Sequence, residues 1–347
     1  MKKTIYTLLA AAVLVSCAKE VSTGKSDLAK KALDEYMTKY HPTAVKTAMG
    51  AYIYPENEVA GTGASLEDSL YIRIHYTIMD RDGNISSSTL ESLNRQMETW
   101  SKNNYYGPRI AYRGDDNLTS GLEEILLGNG TAFGPMKVGG TRRGFIPGWL
   151  SGTVRYDSEA EYVANVSGTE SVYEITLVEA FDDEETWEKD SLARYVAANL
   201  PGAVEDESIT GINGTGGWYY LRTGDPISED GFTSDSTVYC NYTLSRLDGV
   251  VLDTSIEQVA KDNDIWSSSA TYEPKLINWD EDYSKITMTS SETDVVDGFA
   301  NAFLHMHQYE SGTVVFWSYF GYYATGSGNI IPAYCPLRFD IEIVEEP

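Results

Sequence analysis

Val238-Tyr239-Cys240-Asn241-Tyr242-Thr243, followed by the turn signal Asp248-Gly249, alternates its side chains with the two-residue period of a half-buried strand. Upstream, Tyr71-Ile72-Arg73-Ile74-His75-Tyr76 followed by Asp82-Gly83 has the same form. Tyr76 and Tyr242 are 166 positions apart, and so are Gly83 and Gly249. A repeat at a fixed offset sets the domain count, so the chain reads as one unit used twice, split near Glu184. Its 347 residues are 42% hydrophobic, enough for each copy to bury a core. The formal charge of -26 repels phosphate backbones, which argues against nucleic acid as a partner.

Around each strand and turn the same parts recur. Leu28, Ala32, Leu33 and Tyr36 fall at helical spacing, and Ser191, Leu192, Ala193 and Tyr195 open a second short helix after the acidic run Asp182 to Glu185. Gly211 to Gly217 reads as a flexible connection. Further on, Gly121-Leu122-Glu123-Glu124 and Gly298-Phe299-Ala300-Asn301 each seed a short helix before the last strands. The final strand sets Leu337, Phe339, Ile341 and Ile343 on one face against Arg338, Asp340 and Glu342 on the other. Strands outnumber helices in a mixed order, which predicts an α+β fold with an antiparallel sheet on a short helix in each copy.

At the N-terminus, Lys2 and Lys3 precede an apolar stretch, Thr4 to Val13, too short to span a bilayer. Leu14-Val15-Ser16-Cys17 then resembles the lipobox of bacterial lipoproteins. The resemblance implies that residues 1–16 are a signal peptide and that Cys17 is acylated, anchoring the protein to the outer membrane of a cell envelope. Lys19 and Glu20 resemble the signals that send some lipoproteins of Bacteroides-like bacteria to the surface. The remaining cysteines, Cys240 and Cys335, read as unpaired core thiols, with a disulfide as the alternative in an oxidising compartment.

Val295-Val296-Asp297-Gly298-Phe299, the run Tyr322 to Pro332 and the closing Leu337 to Ile343 resemble the second half of FKBP-type peptidyl-prolyl isomerases. Tyr242-Thr243, Leu247-Asp248-Gly249 and Asp253-Thr254-Ser255 resemble the first half. The resemblance spans most of residues 215–345, and a thinner version covers the first copy. It implies two FKBP-like domains, each a curved antiparallel sheet wrapped round one short helix. A degenerate domain would occupy 51–184, after a lipidated N-terminus, linker and short helix at 17–50. A linker with a short helix at 185–214 would lead to a second domain, 215–347, with the fuller pocket.

By the same resemblance, proline-containing exported polypeptides are the clients and the catalytic set is Tyr242, Asp253, Phe299, Tyr322, Ile331 and Phe339. Phe299 would floor the proline site, the backbone N–H of the Ile331-Pro332 pair would bind a substrate carbonyl, and Leu252, Val295 and Val296 would line the pocket. No cofactor or metal is needed. The pattern departs from the family at Leu252 and Phe299, where Phe and Trp are usual, and at Tyr323, where Gly is customary. In the first copy Ser86 and Ser87 replace the aromatic-aspartate pair and Leu122 takes the floor, which points to a binding or spacer role.

A second class of function, non-catalytic protein or glycan binding by an envelope lipoprotein, is motivated by that degraded pocket and by 25 tyrosines and seven tryptophans. Phe303 and Met306 read as the buried stripe of a helix. His305 and His307, two apart, read as a solvent-facing pair and not as ligands of one metal. Hydrolase and nucleotide-binding motifs are absent from the sequence.

Overall fold

The computed structural model describes residues 25–347 apart from 116, 167, 213, 235 and 289–292, so the signal stretch and Cys17 lie outside the described residues. Alternating sequence becomes antiparallel sheet. In the first sheet, Tyr71–Met79 is flanked by Ser171–Phe181 on one side and by Ile85–Ser88 and Arg109–Tyr112 on the other. In the second, Val238–Arg246 lies between Leu337–Val344 and the pair Val251–Thr254 and Lys275–Asn278. No strand is shared between the two sheets among the described residues, and the chain is an α+β protein with antiparallel sheets.

The 166-residue offset extends to pairing and irregularities. Tyr76 pairs with Ile175 and Tyr242 with Ile341, while the register slips between Ile78 and Met79 and again between Leu244 and Ser245. Helices Glu91–Gln96 and Glu257–Asp262 follow at that spacing. Beyond them, Trp100 and Trp266 donate their indole N–H to Glu91 at 3.0 Å and Glu257 at 3.2 Å. Both loops also place a residue at positive φ, Glu98 at 59° and Asp264 at 58°.

Each sheet buries one face beneath short helices. Phe299, Phe303, Val314, Phe316, Phe339 and Ile341 pack together in the second core, and Ile72, Ile125, Phe145, Ile175 and Leu177 in the first. The helix seeds are close approaches. A Cβ on Gly121 would overlap Ile146, and one on Gly298 would overlap the Phe316 ring. The carbonyl of Gly298 accepts from the buried Trp218 indole at 2.9 Å, so helix Asp297–Ala300 is held against strand Ser311–Phe316 from two directions.

Four expectations change, three of them between Glu184 and Gly217. Helix Glu184–Asn199 begins seven residues before Ser191, because the Asp183 carboxylate caps it by accepting from the N–H groups of Glu185 and Thr186, and Glu184 and Glu185 suit its positive end. The 185–214 segment is more than a linker, since Leu192, Val196, Leu200 and Ile209 join the second core. Gly211 to Gly217 is tied back, with Gly211 N–H bonded to the Gly214 carbonyl at 2.7 Å and Gly216 N–H to the Ile209 carbonyl at 2.9 Å.

His305 and His307 do not face solvent as a pair. His305 stacks on Trp218 at 4.7 Å and approaches Asp206 at 3.1 Å, whereas His307 lies 2.6 Å from the buried Glu310 carboxylate. Helix Ala302–His305 ends between them, and buried partners claim both rings. Cys240 and Cys335 are buried free thiols. No helix among the described residues is long and apolar enough to cross a membrane.

Gly298→Ala tests the close approach. The added methyl must displace Phe316 or the helix, and overpacking a filled core costs about 1–3 kcal/mol. The expected result is a lower urea midpoint with an unchanged slope.

Candidate functional site

Strand alternation puts Tyr242 and Leu244 on the same face of Val238–Arg246, and the neighbouring Leu337–Val344 sets Phe339 opposite Leu244. Helix Asp297–Ala300 lays Phe299 across them. The Phe299 ring lies 4.6 Å from Phe339 and 5.6 Å from Tyr242, centroid to centroid, the latter edge-on. Phe303 closes the far side of Phe299 at 5.1 Å.

Above this floor is an open cavity of about 160 Å³ lined by Tyr242, Leu244, Asp253, Met288, Asp294, Val295, Val296, Phe299, Tyr322 and Phe339. Phe299 is only 2% exposed, which suits a floor, whereas Tyr322 at 37% stands at the rim. The Tyr242 hydroxyl donates to Asp253 at 2.6 Å, and the other carboxylate oxygen accepts from Thr254 N–H at 2.9 Å. Burial first, and the adjacent Asp253 second, raise the Tyr242 pKa above the ordinary phenol value, so the group remains a protonated donor. Tyr322 is the free hydroxyl of the site, with no hydrogen-bond partner among the described residues.

The structure brings Tyr242, Asp253, Phe299, Tyr322, Phe339, Val295 and Val296 to one concavity. It leaves two sequence-read residues outside. Leu252 lines a second concavity of about 260 Å³ that shares only Tyr242 and Asp253 with the first. Leu252 is the extra residue at the register slip, where Leu244 pairs with Asp253 and Ser245 with Val251, so the regular alternation of the strand is broken there.

Ile331 is buried in the core, and its N–H already donates to the Ser327 carbonyl at 3.1 Å, answered by Ser327 N–H to the Ile331 carbonyl at 2.7 Å. The amide assigned to a substrate carbonyl is therefore occupied. Val296 lines the cavity instead, and its N–H has no acceptor among the described residues.

Leu244, Met288 and Asp294 were missed by the sequence reading. Leu244 was legible, two residues beyond Tyr242 on a period-two strand. Met288 belongs to a two-residue strand that carries no period at all.

The rim is held from outside the sheet. Tyr323 adopts φ 38°, unusual for a residue with a side chain, and is fixed there by its N–H to the Ser318 carbonyl at 2.8 Å and its hydroxyl to Glu184 at 2.6 Å. Glu188 on the same helix accepts from the N–H of Ser318 at 2.8 Å and from its hydroxyl at 2.7 Å. Among the described residues no group of three or more His, Cys, Asp or Glu side chains could hold a metal ion.

In the first sheet the corresponding place differs. Ser87 pairs with Ile78 as Asp253 pairs with Leu244, so a hydroxyl stands where the carboxylate would be. Tyr76 and Tyr173 keep the aromatic pair at 6.5 Å, against 6.2 Å for Tyr242 and Phe339.

No family model matches the sequence, and no curated protein sequence does. Among solved structures, the three FKBP domains of wheat FKBP73 align over 85% of this chain and 94% of theirs, at 13% identity and a TM-score of 0.29. FkpA from Escherichia coli aligns over 47% of this chain and 59% of its own, at 17% identity and 0.30. A peptidyl-prolyl cis-trans isomerase from Pseudomonas syringae aligns over 48% and 98%, at 18% identity and 0.30.

Burial pushes the Glu188 carboxyl up to about 7, against the two Ser318 donors that favour its charged form. The folded state thus holds this proton more tightly than the unfolded chain. Its stabilising contribution is complete below the ordinary carboxylate range and is lost as pH rises towards 7, by about 1.4 kcal/mol per pH unit while the unfolded group is ionised and the folded one is not. Glu188→Gln is expected to flatten the fall in melting temperature between pH 5 and pH 7, read by thermal unfolding across that range.

Proposed function

We propose that the protein is a peptidyl-prolyl cis-trans isomerase of FKBP type, built as two FKBP-like domains, with its activity in the second. The observation that carries this reading is the convergence of Tyr242, Asp253, Phe299, Tyr322 and Phe339, from four separate strands and helices and a loop, on one open apolar cavity. Such a cavity suits a proline ring, and the donors at its edge suit the peptide carbonyls beside it.

The reaction breaks no covalent bond. Rotation about an X-Pro bond is opposed by amide resonance, a barrier of ~18–20 kcal/mol for a peptide bond. The planar amide is more dipolar than the twisted one, so an apolar floor of Phe299 and Phe339 disfavours the planar form relatively more. Val296 N–H and the Tyr322 hydroxyl then hold the carbonyl of the twisted amide and that of a neighbouring peptide unit, and the Tyr242–Asp253 pair fixes the wall between the two concavities. Binding the transition state more tightly than either planar isomer is the whole of the catalysis.

The clients are proline-containing exported polypeptides, met at the envelope by a protein anchored through acylated Cys17. With Ser87 in place of an aspartate, the first domain serves binding or spacing and not isomerisation. That substitution also favours a second reading, in which both domains bind protein or glycan without catalysis.

A protease-free prolyl-isomerisation assay on the soluble chain lacking residues 1–17 decides between them. Acceleration of X-Pro exchange is expected, abolished in Phe299→Ala with folding checked by near-UV circular dichroism. Tyr322→Phe removes one hydrogen bond, about 0.5–1.5 kcal/mol, and should lower kcat/KM roughly 2- to 12-fold. Equal rates with and without the protein across several X-Pro peptides would leave the binding reading.

A further inference from the structure

The loop that follows Tyr322 is closed on itself. Thr325 and Gly326 donate their N–H groups to the Tyr322 carbonyl at 3.1 and 3.0 Å, Ser327 and Ile331 pair with each other, and Tyr334 N–H returns to the Tyr323 carbonyl at 2.7 Å. Its glycines sit at positive φ, Gly326 at 62° and Gly328 at 55°. A glycine-rich loop of this kind has many conformations open to it unless its tip is held.

The tip is held by the other half of the chain. Tyr105 N–H donates to the Asn329 carbonyl at 2.8 Å. Arg246, at the end of its strand and 3% exposed in its side chain, donates through one guanidinium nitrogen to the Asn103 carbonyl at 2.9 Å and to the Ile330 carbonyl at 2.6 Å. The Tyr105 ring lies 5.5 Å from that guanidinium, and Lys102 makes an exposed pair with Asp264 at 2.8 Å, another contact between the two halves. A buried charge that bridges two backbone carbonyls fixes both segments more firmly than a surface pair does.

We infer that Asn103 and Tyr105 of the first half, acting through Arg246, are positioning residues for the Tyr322 rim of the second half's cavity. The first half, short of its own carboxylate, is a brace that selects one shape of the 322–334 loop. Its catalytic consequence rests on the isomerase reading, but the mechanical link does not.

The test uses the full soluble chain. Amide hydrogen exchange at Ser327 and Ile331 is measured in Tyr105→Ala, in the conservative Tyr105→Phe, and in the exposed Lys102→Glu, which reverses the charge facing Asp264 without touching a core. Exchange at those two amides should rise about tenfold in Tyr105→Ala, rise less in Lys102→Glu, and be rescued in Tyr105→Phe, with strand amides such as Ile341 unchanged.

In the isomerisation assay KM should rise several-fold in Tyr105→Ala while kcat moves less than twofold. Unchanged exchange at Ser327 and Ile331 in both Tyr105→Ala and Lys102→Glu overturns the brace. If Tyr105→Ala fails to fold, Arg246→Lys, which keeps the charge but has no planar guanidinium to bridge the Asn103 and Ile330 carbonyls, decides, and unchanged exchange in it overturns the brace. A wild-type chain without isomerase activity removes the proposed function and leaves the exchange result to judge the brace by itself.

Discussion

Gly298 is the point on which the second half is built. One side of its backbone lies against Phe316 with no room for a methyl group, and its carbonyl takes the indole proton of the buried Trp218. Those two contacts fix how near helix Asp297–Ala300 comes to the sheet and how it is turned. The adjacent Phe299 is thereby laid over Phe339 at a 38° tilt and edge-on to Tyr242, and it forms the floor of the cavity. A side chain with a β-carbon at 298 would lift the floor before it altered anything at the rim. The close approach of Gly121 to Ile146 shows the same geometry in the other copy of the repeated unit.

The sequence reveals what is local and periodic. Tyr71 to Tyr76 and Val238 to Thr243 announce themselves because a strand with one buried face must alternate, and Asp-Gly fits the turn that follows. The offset of 166 was readable from two residue pairs, yet it also governs the register slip after Leu244, the helix at Glu257 and the indole bond to Glu257, none of which composition could signal. The helix before Ser191 was misjudged because its first turns are acidic. Charge there is a capping feature, legible only once Asp183 is seen accepting from Glu185 and Thr186.

The site was partly legible for the same reason. Tyr242, Phe299 and Phe339 lie on regular elements whose faces can be counted, whereas Ile331 lies on a loop whose hydrogen bonds close within the loop itself. That the Ile331 amide is already bonded depends on a Ser327–Ile331 pairing that no spacing encodes. The histidines failed similarly. His305 and His307 were read from their two-residue spacing on a helix, but the helix stops at His305 and a carboxylate buried at Glu310 lies within reach of His307.

The net negative charge also acts inside the fold, where individual carboxylates do separate work. Glu310 is fully buried and tolerable there because Arg222 and Tyr220 donate to it and His307 adjoins it. Glu188 is buried and, among the described residues, accepts from the Ser318 N–H and hydroxyl, neutral donors that do not offset its burial, and so retains its proton to higher pH. Asp253 is a third case, half open to the cavity and answered by a phenol and a backbone amide. A carboxylate satisfied in this way can orient Tyr242 without a counter-cation that would otherwise fill the space. Replacing it by a hydroxyl, as at Ser87, keeps the strand register and the aromatic pair but withdraws the acceptor that fixes the phenol. The first half keeps the register and the aromatic pair without that carboxylate, and its loop at Asn103–Tyr105 hydrogen-bonds to the segment that follows Tyr322 in the other half.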